Sequence, residues 1–278
     1  MQVAGLWHYP VKSLQGQSSD QLTLGPDGVE GDRTHGVLDV AAGTILSAKR
    51  DGRLLEASAT CRRGRLLVTL PSGDPLEPGA HLDEALTAWL GRPARLVSAK
   101  AHGVGIFEAQ TDDDDASPSV TWKGTTGSFV DESHLHLLTT GDLDQLATER
   151  PELGWDVRRF RPNVLVEGGP GALGSRPGTR LLLGGAEAEI LNGCTRCVMT
   201  TRVQPGEVDR QLEILRHVQD AHRGVVGVRA RVVCAGVVRH NDPVELREGS
   251  RCSAAPGDAV ARAPRGATTA GSLPAEGR

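Results

Sequence analysis

Cys194-Thr195-Arg196-Cys197 carries the densest local chemistry in the sequence. A thiolate is both a nucleophile and a soft metal ligand, and an adjacent guanidinium such as Arg196 favours the ionised sulfur. Spacing alone leaves several readings open. A structural zinc site usually takes four ligands, and no second cysteine pair or nearby histidine pair accompanies this one. A thioredoxin-type redox pair would occupy a strand-to-helix turn of a βαβ unit, whereas this one falls between strand-like segments. Two buried structural thiols are the third reading. A second cluster, Arg158-Arg159-Phe160-Arg161-Pro162-Asn163, packs cations just ahead of a strand. A planar guanidinium fork suits phosphate or carboxylate, and Asn163 can donate and accept, although a solvated basic turn is the plain alternative. Tyr9-Pro10-Val11-Lys12-Ser13 and Gly31-Asp32-Arg33 repeat the theme of a cation beside a turn. The histidines show no zinc-protease pattern, and the glycine-rich stretches match neither the phosphate-binding loop nor the dinucleotide fingerprint.

The elements that must position these residues are mostly short strands. Met1 to Trp7, Gln21 to Leu24, Gly36 to Val40, Thr44 to Ser47 and Arg65 to Leu70 are apolar runs between turn signals, which predicts a mainly β first hundred residues. His81 to Leu90 has helical spacing and is stopped by Gly91-Arg92-Pro93. From Gly103 to Gly127 periodicity fails, and Asp112-Asp113-Asp114-Asp115 reads as a solvated loop rather than a cation site. Ser133 to Thr139 then reads as a strand, with Thr140 capping a short helix. Further strand candidates are Asn163 to Val166, Arg180 to Leu183, Ala188 to Leu191, Val198 to Val203, Val225 to Val233 and Pro243 to Leu246, with a helix over Glu213 to His222. Many strands and few helices predict a mainly β (α+β) protein built on barrels rather than a parallel α/β fold.

Composition narrows the function. Lys and Arg total 31 against 35 Asp and Glu, a net charge of −4 that does not suggest a dedicated nucleic-acid binder. Five cysteines (Cys61, Cys194, Cys197, Cys234 and Cys252) are too few for a disulfide framework and fit a reducing compartment. With no run near the roughly 18 apolar residues of a membrane span, and no basic-then-apolar leader, the expectation is a soluble, cytoplasmic protein. The expected organisation is an N-terminal β-barrel-like domain over 1–100, a second β-barrel domain over 101–248 and a disordered tail over 249–278.

Taken in order, Tyr9-Pro10-Val11-Lys12-Ser13, Gly31-Asp32-Arg33, Arg159-Phe160-Arg161-Pro162-Asn163, Cys194-Thr195-Arg196-Cys197 and Gly236-Val237-Val238-Arg239-His240-Asn241-Asp242-Pro243-Val244 resemble the MOSC family. The form with an N-terminal β-barrel companion resembles the mitochondrial amidoxime reducing component and its bacterial relatives. The resemblance implies a molybdenum bound by a molybdopterin dithiolene and by Cys197, the second cysteine of the pair. It also implies cofactor contacts from Lys12, Ser13 and Arg33 in the first half. In the second half it implies contacts from Asp131, Ser133, Arg161, Asn163, Thr195 and Arg196. Soft sulfur for the metal and cations for the pterin phosphate are consistent chemistry. Two departures stand out. Arg229, in Val228-Arg229-Ala230, puts a cation where a neutral cofactor contact is expected, which would suit an anionic substrate. Gln204-Pro205-Gly206-Glu207 lacks the acid of the family's Asp-Pro.

The implied activity is reductive cleavage of N–O bonds in N-hydroxylated small molecules, with the cofactor supplying the redox chemistry. The tail holds only Cys252, against the four cysteines of a plant-type iron–sulfur cluster, so the electrons are expected from a separate ferredoxin or reductase. Two alternatives remain within the resemblance: a sulfur carrier using a persulfide at Cys197, and a molybdenum cofactor binding or storage protein. An association with pyridoxal phosphate attaches to the family as a whole and to no residue here.

Overall fold

The computed structural model describes residues 1–110, 119–124, 127–206 and 208–247. The acidic run Asp112 to Asp115, the tail 249–278 and Glu207 lie outside the described residues. Strands dominate, and the α-helices among the described residues are at most 11 residues long, as the mainly β reading expects.

One eight-stranded sheet curls around the larger core. Its order is Val244–Arg247, Arg180–Leu183, Ala186–Thr195, Val225–Cys234, Leu135–Thr139, Val164–Glu167, Gln2–His8 and Gln17–Ser18. Leu135–Thr139 and Val164–Glu167 run parallel, and the other neighbours are antiparallel. The period-2 pattern sets the inner face: along Ala186–Thr195, Ala186, Ala188 and Ile190 point to the core while Glu187 and Glu189 alternate outward. Val3, Leu6, Leu22, Leu24 and Val29 pack in that same core with Leu135, Val164, Ala188 and Val228. Each such valine or leucine contributes about 1.5–3 kcal/mol on burial. The strands Gln2–His8 and Gln21–Gly25 are thus built into a barrel whose remaining strands begin at Leu135.

The intervening chain forms a second unit. Its five-stranded sheet has the order Ser119–Lys123, Ile106–Gln110, Thr44–Ile45, His35–Asp39 and Ala94–Ser98. The helix Ala80–Leu90 lays Leu82, Leu86 and Leu90 onto a core containing Val11, Leu54 and Val68. It ends at Gly91, which takes φ 69° and donates its backbone N–H to the Thr87 carbonyl, the left-handed cap for which glycine is suited.

Three local expectations are corrected. The stretch without periodicity contains the hairpin Ile106–Gln110 with Ser119–Lys123. Its alternation is masked because Ile106 and Val120 face solvent, while Phe107 is buried against Trp122 and Phe129. Val198 to Val203 is not a strand but begins as the 3₁₀ turn Val198–Thr201. There the Thr200 hydroxyl donates to the Cys197 carbonyl and the Thr201 hydroxyl to the Val198 carbonyl, bonds that compete with a strand ladder. The helix Thr140–Glu149 is capped by Thr139, not Thr140. The Thr139 hydroxyl accepts from the Asp142 N–H and the Asp142 carboxylate accepts from the Thr139 N–H, closing a capping box.

Candidate functional site

The parallel pair decides where the site forms. Leu137 lies opposite Val164, so the residues entering both strands, 131–133 and 161–163, arrive at the same end of the sheet. Gln2–His8 runs antiparallel to Val164–Glu167, which brings its exit, Tyr9 to Ser13, to that end as well. The cysteine strand Ala186–Thr195 is distorted by three register shifts against Val225–Cys234. Such bulges re-aim side chains and recur beside functional sites.

The result is one open cleft with a volume of about 200 Å³. Lys12, Ser13, Arg33, Asp131, Ser133, Arg161, Asn163, Thr195, Arg196, Cys197 and Arg229 all line it. Among the other lining residues, Lys49 and His136 were not singled out in the sequence, while Glu132, Arg159 and Cys194 stood in or beside motifs without an assigned role in the site. Lys49 carries no motif, and it is held in the cleft by the partner it shares with Lys12.

That partner is Asp131. The Lys12 ammonium donates to the Phe129 carbonyl at 2.9 Å and to Asp131 Oδ1 at 2.6 Å, and lies 4.0 Å from the Phe107 ring centroid. Lys49 approaches Asp131 Oδ2 at 3.0 Å and sits 4.3 Å from the Trp122 ring centroid. Burial lowers the Lys12 pKa against the pull of Asp131. Burial alone would raise Asp131, but the two ammonium groups hold it well below the usual carboxylate range. Both faces of this bridge are aromatic, which favours cations at these positions.

Tyr9 organises a second group of cations. The Arg33 guanidinium lies 4.5 Å, and the Arg161 guanidinium 4.3 Å, from its ring centroid. Burial pushes the Tyr9 hydroxyl up to about 12 and pulls Arg161 down to about 10. Arg33 is paired with Asp32, whereas both terminal nitrogens of Arg161 are buried without a partner. A buried guanidinium with two unmade bonds is costly, and an anion in the cleft would satisfy it. Arg196 Nε is buried and unpartnered in the same way. Ser13, Arg33 and Arg161 also take left-handed backbone conformations, with φ 67°, 49° and 53°, which cost about 1–3 kcal/mol each and cluster at functional positions.

The cysteines differ in environment. Cys197 carries a free thiol and is half-buried in the cleft wall. Cys194 is buried, and its sulfur accepts from Arg196 Nη1 at 2.9 Å. Burial would raise the Cys194 thiol, but Arg196, His136 and Arg229 overcome it and bring it to about 5. The pair follows a strand and leads into a 3₁₀ turn, within an antiparallel setting rather than a βαβ unit.

Several lining residues hold the walls rather than offering free groups. Asn163 accepts from the His136 N–H at 3.3 Å and donates to the Trp7 carbonyl at 3.3 Å, tying three strands together. The Ser13 hydroxyl accepts from the Ala48 N–H, and the Ser133 hydroxyl donates to the Leu135 carbonyl. Arg159 is fully buried and donates to the Gly154, Thr200, Arg202 and Asp209 carbonyls, clamping the segment after Cys197. At the rim, Arg229 pairs with Glu132 and donates to the Thr195 hydroxyl at 2.5 Å.

Residues 1–110 match the MOSC N-terminal beta barrel domain and residues 124–245 match the MOSC domain. The chain belongs to the MOSC family, in the form that carries the barrel companion. That family is associated with the molybdenum cofactor. Among relatives, the mouse (Mus musculus) mitochondrial amidoxime-reducing component 1 is 24% identical over 286 residues, covering 88% of this chain and 82% of that protein. Among solved structures, the YuaD protein from Bacillus subtilis aligns over 90% of this chain and 96% of its own, with a TM-score of 0.41 and 13% identity. YiiM from Escherichia coli aligns over 46% of this chain and 59% of its own, with a TM-score of 0.34 and 21% identity. No helix among the described residues is long and apolar enough to cross a membrane.

Proposed function

We propose that the cleft binds a molybdenum–molybdopterin cofactor through Cys197 and that the protein reduces N-hydroxylated small molecules. The observation that carries this reading is the unpartnered, buried guanidinium of Arg161 in the same cleft as the free Cys197 thiol. Cys197 would supply the soft thiolate ligand, and Arg161, with Arg33 and Arg196 beside it, would take the anionic pterin phosphate. When bound, the cofactor supplies the two-electron chemistry of N–O cleavage. The chain's own contribution is to hold and orient. Lys12 and Lys49, fixed by Asp131, keep one wall cationic. Arg159 holds the turn that presents Cys197. Arg229 and Glu132 set the charge at the mouth, where substrate enters. A separate ferredoxin or reductase would deliver the electrons, and the cytoplasm is the proposed compartment.

The persulfide-carrier alternative at Cys197 draws on one feature, the free, half-exposed thiol of that residue. It leaves Arg161 and the Lys12–Asp131–Lys49 bridge without a task, and so ranks second. The test is reduction of a simple amidoxime or hydroxylamine by the purified protein with an artificial electron donor. Formation of the amidine or amine is expected. Molybdenum-loaded protein that converts neither compound would contradict the reductase reading and leave cofactor storage.

A further inference from the structure

A second cluster of metal-binding groups lies away from the cleft, where two helices end. Glu149 is the last residue of Thr140–Glu149, and His222 the last of Leu212–His222. His217 Nε2 and His222 Nε2 both meet a single atom, Glu149 Oε2, at 2.8 and 2.7 Å. The three donor atoms lie within 4.8 Å of one another. We propose that Glu149, His217 and His222 form a binding site for a zinc-class divalent cation.

Three features support a cation there. Two imidazoles and one carboxylate are a donor set that zinc accepts, and three protein ligands leave a position open for water. Four-coordinate zinc with bonds of about 2.0–2.1 Å needs donors roughly 3.3 Å apart, so the present contacts open by only about half an ångström. Both helices also present their C-terminal, carbonyl-bearing ends, where positive charge is favoured. Supporting contacts are in place as well. Gln145 Nε2 donates to Glu149 Oε1 at 2.8 Å, fixing the carboxylate, and the Trp155 ring lies 5.8 Å from that of His217. Ordinary His–Glu ion pairing explains one imidazole on a carboxylate. Two converging on the same oxygen gather three donor atoms where one cation can take the place of the bridging protons.

The experiment titrates chelator-treated, full-length protein with Co²⁺, read by its visible absorption, followed by Zn²⁺ competition. Binding of one equivalent without a thiolate-to-metal band is expected, both in the natural protein and in the Cys194→Ala/Cys197→Ala double variant. His217→Ala and His222→Gln should each weaken binding more than about a hundredfold, and Gln145→Ala about tenfold. Far-ultraviolet circular dichroism of each metal-free variant checks that it has folded. Binding unaltered in His222→Gln, no binding at all, or binding that carries a thiolate band and vanishes with the cysteines would each overturn the site. None of these outcomes bears on molybdenum in the cleft.

Discussion

Cys194 and Cys197 are three residues apart and both line the cleft as free thiols, but only the second is half-exposed. Cys194 instead anchors Arg196, which reaches on to the Phe160 carbonyl at 2.9 Å. A thiol held near 5, against about 8.5 in an unfolded chain, stabilises the fold. The sign follows from the depressed pKa: the contribution is complete above about pH 8.5, declines below it and is gone once the pH falls through about 5. In a metal-free Cys197→Ala variant, thiolate absorbance assigned by difference from the Cys194→Ala/Cys197→Ala protein should persist down to about pH 5. Loss of that absorbance near pH 8 would contradict the Arg196 contact. At this scale the sequence revealed the residues that stand in motifs, such as Lys12, Arg33 and Arg161. It could not reveal Lys49 or His136, which reach the cleft only through long-range folding. Nor could it reveal that Ser13, Arg33 and Arg161 sit in strained, left-handed backbone.

Among the elements, the strand Gln2–His8 matters most, because it pairs with Val164–Glu167 and delivers Tyr9, Lys12 and Ser13 to the cleft. Gln21–Gly25 pairs with Gly236–Arg239 in the same way, and Val3, Leu6, Leu22 and Leu24 fill the core of the eight-stranded sheet. A fragment of residues 101–247 therefore loses an edge of its sheet and several core side chains, each worth about 1.5–3 kcal/mol. It should lack the cooperative thermal transition of the whole chain by circular dichroism. A native-like, cooperative transition in the isolated fragment would refute this arrangement. Strand and helix positions were largely legible from alternation and turn signals, as at Arg180–Leu183 and Ala80–Leu90. The failures came where side chains override pattern: threonine hydroxyls at Val198–Thr201, and aromatic packing around Phe107. The interleaving of the first strands with the last was invisible, since pairing across more than 150 residues leaves no local signature.

Across the whole molecule, charge is unevenly distributed. The chain carries −4 overall, but the cleft is lined by Lys12, Arg33, Lys49, Arg159, Arg161, Arg196 and Arg229 against Asp131 and Glu132. Composition hides such a field, which focuses anions into the site. It also explains why a near-neutral net charge says nothing about a small phosphorylated ligand. The most direct test of the cofactor reading is molybdenum content in purified protein produced with a supply of the cofactor. About one molybdenum per chain is expected, retained in Cys194→Ser and lost in Cys197→Ser. Protein free of molybdenum, or loss in Cys194→Ser alone, would contradict it.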